Sequence, residues 1–362
     1  MQEVTDSSSV TPTSSLIRPA AVLTPSHLLR AFAGCLCGFI CLNLAISTAS
    51  AWNSPGHMII ALVAYDQLDA ATRAKALDIL RSHPRFDDHF KRLMPHAVSR
   101  GDVQEQDQWI FAQAATWPDL MRDSKGAVTR RDVKQYHRPW WHFIDEPIFL
   151  NDEERRQFEH HLPVNLRRDP PKDSDDPNMN IIQAFKNSSR IVRDPSEPKE
   201  KRAVHLCWIL HLAGDSHQPL HSCALFTTHR FPGGDHGANY LQIEHDWKLH
   251  AFWDDQIATE ESYETLRNLA ANVEHNRKLA EDGRRAAATL DIDKWIDESY
   301  DLARRYTYTK EVLQKVSARE DHSHLGPLDL SANYKSQAEA ICERRAAEAG
   351  YRLAAVVKQL LQ

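Results

Sequence analysis

Two histidine–aspartate pairs in this sequence share a spacing that can hold a metal ion. His211 precedes Asp215 by four residues, and His250 precedes Asp254 by the same interval. Residues four apart on a helix project from one face, so the imidazole and carboxylate of each pair can reach a common point. A single pair of this kind is typical of an exposed ion pair on a helix surface. Two pairs, in a chain with 20 histidines, favour metal binding.

Further candidate ligands lie outside these pairs. His221 follows His211 by ten residues, which on a continuing helix would place it about 80° from the face of His211. We therefore expect His221 to serve a different metal. Asp119 and His142 add another carboxylate and another imidazole, each near tryptophans that could exclude water. Either of them could instead be a hydrogen-bonded core residue.

The N-terminal residues have the pattern of an export signal. Residues 31–49 form an apolar run with almost no charge, and Arg30 precedes it. Residues 49–51 read Ala-Ser-Ala, the small-x-small pattern that signal peptidase needs, so cleavage would make Trp52 the first residue. We predict that residues 1–51 are a cleaved signal peptide and that the mature protein is exported, periplasmic or secreted, without a membrane segment. The alternative is an uncleaved anchor, for which the run is short.

Composition limits the class of protein. The chain has 362 residues, of which 42% are hydrophobic and 26% charged, as is usual in soluble globular proteins. Its formal charge of -6 excludes a protein that grips duplex nucleic acid by neutralising many phosphates, so any contact with nucleic acid should be local. Three of the six cysteines precede residue 52. The odd number that remains, Cys207, Cys223 and Cys342, argues against a disulfide framework.

The elements that must position these side chains are predicted to be helices. Apolar residues recur with the helical period, and no convincing run of alternating strand residues is present. The predicted helices run over 54–68, 70–82, 104–123, 178–192, 199–215, 261–282, 292–313 and 331–361. A charged, proline-containing segment at about 146–177 is predicted to be a surface insertion. We predict an all-α, single-domain, multi-helix bundle over 52–362.

The order of these motifs resembles the single-strand-specific, trinuclear-zinc nucleases of the S1/P1 type from moulds, plants and bacteria. The matching residues lie between Trp52 and Asp254, about two-thirds of the chain after residue 51. They are, in order, Trp52, His57, Trp117-Pro118-Asp119 with Arg122, His142-Phe143-Ile144-Asp145, His211-xxx-Asp215-xx-Gln218-Pro219-Leu220-His221, Asn239 in a glycine-rich loop, and Leu249-His250-xx-Trp253-Asp254. The resemblance implies a phospholipase C/nuclease-type fold, with a zinc cluster at the bottom of a cleft.

The resemblance also implies nine ligand residues for three zinc ions. One zinc would be held by Asp119, His142, His211 and Asp215, a second by His221, His250 and Asp254, and a third by His57, by Asp215 as a bridge, and by the amino group and carbonyl oxygen of Trp52. Only a free α-amino group, with a reference pKa of about 8, can lose its proton and chelate a metal alongside its own carbonyl. Removal of the leader would therefore complete the site.

The implied reaction is hydrolysis of phosphate esters in nucleic acids. Zinc lowers the pKa of a bound water to about 7, which provides a nucleophile at neutral pH. Asp119 and Asp215 would hold the ions at the catalytic centre, and the guanidinium of Arg122 would stabilise charge on the phosphate. The 3′-oxygen would leave, giving a 5′-phosphate, and 3′-nucleotidase activity is expected. Arg122 could instead be a surface arginine.

The implied substrates are single-stranded DNA and RNA, together with 3′-nucleotides. Phe143 follows a predicted ligand, so an unpaired base could stack on its ring. Asp145 and Asn239 would form hydrogen bonds with the base. Phe143 could instead be a core residue. No stable protein partner is implied.

Two other functions remain open from the sequence. A zinc-dependent phospholipase C has a similar trinuclear site, but its ligand series typically ends with glutamate, whereas this one ends with Asp254. A non-catalytic zinc-binding protein could use the same ligands, but it would not need Arg122 and Phe143. The other histidines near the motifs are predicted not to bind metal: His205, His217, His229, His236 and His245.

Overall fold

A computed structural model gives the architecture of the chain. It describes residues 52–122, 126, 128–158, 161–244, 247–259, 262–318 and 325–362. The predicted leader at 1–51 lies outside these residues. The described residues are mostly helical, as the sequence predicts, and they belong to one compact unit.

Fifteen α-helices occur in the described residues. They are α1 (Ser54–Gln67), α2 (Ala70–Leu80), α3 (Phe86–His89), α4 (His96–Ser99), α5 (Val103–Leu120), α6 (Arg130–Tyr136), α7 (Asp152–Gln157), α8 (Ile181–Arg193), α9 (Lys199–Asp215), α10 (Leu249–Asp254), α11 (Tyr263–His275), α12 (Arg277–Ala286), α13 (Ile292–Leu302), α14 (Lys310–Ser317) and α15 (Ala332–Leu360). Short 3-10 turns lie at Lys91–Leu93, Pro139–His142 and Pro219–His221.

Three central helices, α1, α5 and α9, pack against one another, and α15 packs against α1. Side-chain caps fix where two of them begin: Asn53 accepts the backbone N–H of Gly56 at the start of α1, and Asp102 accepts that of Glu105 at the start of α5. The close approach of α15 to α1 requires Gly350, because a Cβ there would lie 2.6 Å from a methyl carbon of Val63.

Two predicted helices are interrupted in the structure. The predicted helix 261–282 is divided into α11 and α12 at Asn276, whose side chain accepts the first backbone N–H groups of α12. The predicted helix 292–313 is divided into α13 and α14 by a π-helical turn at Ala303–Thr307, and Thr309 caps α14. In both cases a capping side chain inside an amphipathic run starts a new helix, which periodicity alone does not reveal.

The all-α bundle also contains two short strand pairs, which the sequence analysis did not identify. β1 (Glu146–Phe149) pairs in parallel with β2 (Cys223–Phe226), and β3 (Gln242–Glu244) pairs antiparallel with β4 (Trp247–Lys248). Strands of four residues or fewer are too short to display alternation, and β2 is buried throughout, so it reads as an apolar run. β1 forms the first residues of the segment at about 146–177. Its pairing with β2 therefore attaches the beginning of this segment to the rest of the fold.

The three cysteines that follow residue 52 all lie in the described residues. Cys207, Cys223 and Cys342 are buried free thiols. Among the described residues, no helix combines the length and the apolar character that crossing a bilayer requires.

Candidate metal centre

The structure brings the side-chain candidates for metal binding together from separate elements. His57 lies in the first turn of α1, Asp119 in the last turn of α5, and His142 at the end of a 3-10 turn. His211 and Asp215 occupy the end of α9. The side chains form three groups that can each hold an ion: His57 with His211 and Asp215, Asp119 with His142 and His211, and His221 with His250 and Asp254.

Asp215 lies at the centre of the first two groups. Its buried carboxylate is 3.1 Å from Nε2 of His57, 3.1 Å from Nδ1 of His142 and 3.1 Å from Nε2 of His211. Burial alone would raise the pKa of Asp215, but the charge of His211 and hydrogen bonds from the imidazoles hold it well below its ordinary value. The carboxylate is therefore ionised and can bind cations on both oxygens.

The electrostatics of this region favour a positive charge between the imidazoles and the carboxylates. Burial would lower the pKa of His211, but the charges of Asp215 and Asp119 raise it. Burial, followed by the charge of Arg122, lowers the pKa of His142 to about 3. His142 is thus neutral at pH 7, with a lone pair available, and a metal ion can supply the positive charge that the surrounding carboxylates favour.

Backbone carbonyls fix the orientation of three imidazoles. Nδ1 of His211 donates to the carbonyl oxygen of Ala115 at 2.8 Å, and Nδ1 of His221 donates to that of His142 at 2.7 Å. Nδ1 of His250 donates to the carbonyl oxygen of Gly237 at 2.6 Å. Since a carbonyl can only accept, each Nδ1 carries the proton and each Nε2 is left as a ligand atom. Metal-binding histidines commonly have this arrangement.

His221 belongs with the pair on α10. Its Nε2 is 3.2 Å from Nε2 of His250, and that atom is 3.5 Å from a carboxylate oxygen of Asp254. Gln218 donates to the other oxygen of Asp254 at 2.6 Å. α9 ends at Asp215, where the predicted helix 199–215 also ends, and a 3-10 turn carries His221, so the offset calculated for a continuing helix does not apply. The structure nevertheless groups His221 with His250 rather than with His211.

Trp52 lies against the same region. Its indole is fully buried and donates to the carbonyl oxygen of Gly214, the residue before Asp215, at 2.9 Å. A Cβ on Gly214 would lie 2.8 Å from Nδ1 of His57, so only glycine lets α9 approach α1 this closely. The contact sets the first described residue beside the group formed by His57, His211 and Asp215.

The donor set fits zinc. Nδ1 of His57 and Nε2 of His142 are buried and make no hydrogen bond to any residue that the structure describes. Buried polar atoms in proteins are nearly always hydrogen-bonded, so these rings are not placed for hydrogen bonding, and their other nitrogens, Nε2 of His57 and Nδ1 of His142, face Asp215 at 3.1 Å, where an ion can bind. Imidazole nitrogens with carboxylate oxygens, in groups of three or four, are the set that zinc prefers when no thiolate is present.

Arg122 lies at the edge of the centre. Its Nε is 3.1 Å from a carboxylate oxygen of Asp119, and its side chain is only 8% exposed, so it is not the surface arginine that the sequence left open. Burial would raise the pKa of Asp119, but Arg122 and then His211 lower it. Arg122 thus holds one candidate ligand in its ionised form.

A cavity of about 200 Å³ is lined by residues on either side of His142 in the sequence. Phe143 and Asp145 line it, and Phe143 is half-buried rather than part of the core. The full lining is Trp140, Phe143, Ile144, Asp145, Pro163, Val164, Asn165, Asn178 and Asn180. Asn239 is not among these residues, and its side-chain amide donates to the carbonyl of His236 in its own loop. Burial, with the nearby charge of Asp235, raises the pKa of Asp145 to about 7.

The sequence analysis missed residues that hold the ligands in place. Gly237 has a positive φ of 59°, and its carbonyl accepts the His250 proton. In the same loop, the buried carboxylate of Asp235 accepts the backbone N–H of Leu225 and the hydroxyl of Tyr308. The only signal in the sequence was the glycine-rich composition of this loop.

The other described histidines stand outside the three groups. His217 is buried, donates from Nδ1 to the carbonyl of Ala213 at 2.7 Å and accepts from Arg352 at Nε2. His205 contacts the hydroxyl of Ser188. His229 and His236 belong to none of the groups, and His245 lies outside the described residues.

Comparisons with known proteins agree with this geometry. The family model described as S1/P1 Nuclease matches residues 52–362. Nuclease S1 of Aspergillus oryzae is 22% identical over 314 residues, which cover 84% of this chain and 90% of that protein. The chain therefore belongs to the S1/P1 nuclease family and is a hydrolase that acts on the phosphodiester bonds of nucleic acids.

Proposed function

We propose that this nuclease is zinc-dependent, cleaves single-stranded DNA and RNA to 5′-phosphate products and also acts as a 3′-nucleotidase. The observation that carries the proposal is the buried carboxylate of Asp215 with three imidazoles at 3.1 Å. Such a cluster has no use in core packing, because it leaves imidazole nitrogens without hydrogen bonds.

Three zinc ions are proposed. Their ligands are Asp119, His142, His211 and Asp215 for the first, His221, His250 and Asp254 for the second, and His57, Asp215 and the amino and carbonyl groups of Trp52 for the third. The burial of Trp52 beside Gly214 supports its role, since the start of the processed chain would then lie next to His57. The family match that begins at residue 52 is consistent with removal of the leader and with an exported protein.

The residues around the ions have separate roles in the proposed reaction. Zinc, when bound, supplies an activated water at neutral pH and positive charge for the phosphate oxygens. Arg122, oriented by its ion pair with Asp119, presents further N–H donors to the phosphate and stabilises the charge that develops there. The two carboxylate oxygens of Asp215 contact the imidazoles of His57 and His142 and so fix the positions of these rings.

The cavity that Phe143 and Asp145 line supports single-strand specificity. A base can contact Phe143 and the Asp145 carboxyl only when it is not paired within a duplex. We assign these two residues to base binding. Asn239 is proposed to contact substrate from the neighbouring loop, although it does not line this cavity.

The test uses processed protein purified from the exported fraction of an expression host. We expect Trp52 as the first residue, three zincs per chain by elemental analysis, and turnover of single-stranded DNA, RNA and 3′-AMP. Duplex DNA and phosphatidylcholine should be turned over far more slowly. H211A should abolish activity, whereas H96A, at an exposed histidine outside the metal groups, should not.

Two outcomes would contradict the proposal. Turnover of phosphatidylcholine with inert nucleic acid would indicate a phospholipase C. Full zinc content without phosphoesterase activity on any of these substrates would indicate a non-catalytic zinc-binding protein.

A further inference from the structure

Trp140 is an exposed tryptophan beside the metal centre. It is 45% exposed, whereas the next residue, Trp141, is buried and donates its indole N–H to the carbonyl of Asp176. Trp140 precedes His142 by two residues, so the two Cα atoms are within roughly 8 Å of each other, given about 3.8 Å per residue. The ring also lines the cavity that contains Phe143 and Asp145, so its exposed face is one on which an unpaired base can stack.

Trp140 and Phe143 line the same cavity, but they cannot sandwich one base. Their ring centroids are 5.8 Å apart and their planes are inclined by 59°. A base held between two parallel rings needs a gap of two stacking distances, roughly 7 Å or more at about 3.5 Å each. The two rings instead touch each other, and each offers a separate face.

The size of the cavity leads to the same conclusion. At about 200 Å³ it is smaller than the roughly 300–1,000 Å³ of pockets that hold drug-sized ligands. One base fills it. The base of an adjoining nucleotide must therefore lie at the rim, where the indole of Trp140 is exposed.

We propose that Trp140 is the stacking platform for the base of a second nucleotide, next to the nucleotide whose base contacts Phe143 and Asp145. This inference rests on the proposed function and extends it, because it makes the preferred substrate a strand of at least two nucleotides. A 3′-mononucleotide occupies only the inner position and leaves the exposed face of the Trp140 indole uncovered.

The experiment compares W140A and W140F on a 3′-mononucleotide, 3′-AMP, and on the dinucleotide ApA. Base stacking on an aromatic ring is worth about 1 kcal/mol or more, so W140A should raise KM for ApA by about fivefold or more with little change in kcat. KM for 3′-AMP should stay within about twofold, the range of a neutral surface substitution. W140F, which keeps a ring, should restore most of the loss.

The matched control is V103A. Val103 is 70% exposed and is the first residue of α5. Asp119 lies at the other end of this helix, about 24 Å from Val103 at a rise of about 1.5 Å per residue. V103A should leave KM for both substrates unchanged. Thermal unfolding of each variant shows whether W140A is folded.

Two results would overturn the inference. If W140A raises KM for 3′-AMP as much as for ApA, Trp140 belongs to the inner position with Phe143. If neither KM changes, Trp140 has no part in binding. Calorimetric binding of a phosphorothioate dinucleotide to the same variants requires no turnover, so an inactive wild-type enzyme would refute the proposed function while this measurement still decides on Trp140.

Discussion

At the scale of single residues, the candidate ligands depend on the groups that orient them. The imidazoles of His211, His221 and His250 each donate a proton to a backbone carbonyl, and only this leaves Nε2 directed at the site. Of the three carbonyls, only that of Gly237 belongs to a loop residue with positive φ, a backbone conformation that favours glycine. The metal affinity of the His221, His250 and Asp254 group should therefore depend on that glycine.

G237A is predicted to weaken zinc binding by about 10–100-fold, the usual loss when a partner of a metal ligand is disturbed. The added Cβ would lie 2.5 Å from the carbonyl oxygen of Leu220, and the positive φ disfavours any side chain. Zinc affinity is measured by competition with a chromogenic chelator. The control is G233A in the same loop, where a Cβ meets nothing within 4 Å. Equal affinities for the two variants would contradict the prediction.

Asp145 should make the base preference depend on pH. Burial and the charge of Asp235 raise the pKa of Asp145 to about 7. Below that pH the carboxyl is protonated and can both donate to and accept from adenine, whereas above it the carboxylate only accepts, which suits the N–H groups of guanine. We predict that the ratio of KM for 3′-AMP to KM for 3′-GMP rises between about pH 6 and pH 8.

The KM ratio removes pH effects common to both substrates. D145N has a fixed donor and acceptor at this position, so its ratio should be independent of pH. A ratio that stays constant in the wild-type enzyme would show that the Asp145 carboxyl does not contact the base.

The side-chain candidates could be recognised from the sequence because helical spacing alone brings His211 to Asp215 and His250 to Asp254. The residues that orient them could not. Glycine is required at position 214 because His57 lies so close. It is required at position 237 because of the loop conformation and the nearby ring of His250. Such distances arise only when remote elements pack together.

At the scale of elements, α15 and α13 hold the turn that follows Asp215. Nε of Arg345 donates to the carbonyl of His217, and the hydroxyl of Ser299 donates to that of Ser216. Arg345 also forms ion pairs with Glu298 and Glu348. The C-terminal helix therefore supports the chain between Asp215 and His221, although it contributes no candidate ligand.

R345M is predicted to lower the free energy of unfolding by about 2–3 kcal/mol, because it leaves the buried carbonyl of His217 and the buried hydroxyl of Ser299 without their partner. The neighbouring residue provides the control. Arg344 also pairs with Glu348, but its side chain is 41% exposed where that of Arg345 is 2% exposed, so R344M should cost about 1 kcal/mol or less. Urea unfolding of both variants measures the difference, and similar losses would show that α15 does not anchor this turn.

Most helices could be predicted from the sequence because their caps and apolar periods are local signals. The pairing of β1 with β2 could not, since it joins residues far apart in the chain through strands of only four residues. This pairing matters for the site. It continues from the hydrogen bond between Ile144 N–H and the carbonyl of His221, which brings the His142 segment to the second metal group.

At the scale of the whole molecule, the candidate ligands range from Trp52 to Asp254. They come from the starts or ends of α1, α5, α9 and α10 and from two 3-10 turns, so the metal centre forms only when these elements are packed. Metal binding and folding should then be coupled. The ligand grouping required the family resemblance as well as spacing, because no local pattern links His57 or Asp119 to Asp215.

The proposed third ion ties the first residue of the processed chain to this core. If the α-amino group of Trp52 is a ligand, one alanine added before it turns that amine into an amide, which cannot bind zinc at neutral pH. We predict that this extension reduces the zinc content from three to two per chain and lowers kcat by at least about 100-fold, since a catalytic metal is lost. The control is one alanine added after Gln362, which is exposed. Elemental analysis and turnover of single-stranded DNA measure both effects. Three zincs with full activity in the N-terminal extension would mean that His57 and Asp215 hold the third ion without Trp52, and that removal of the leader serves export alone.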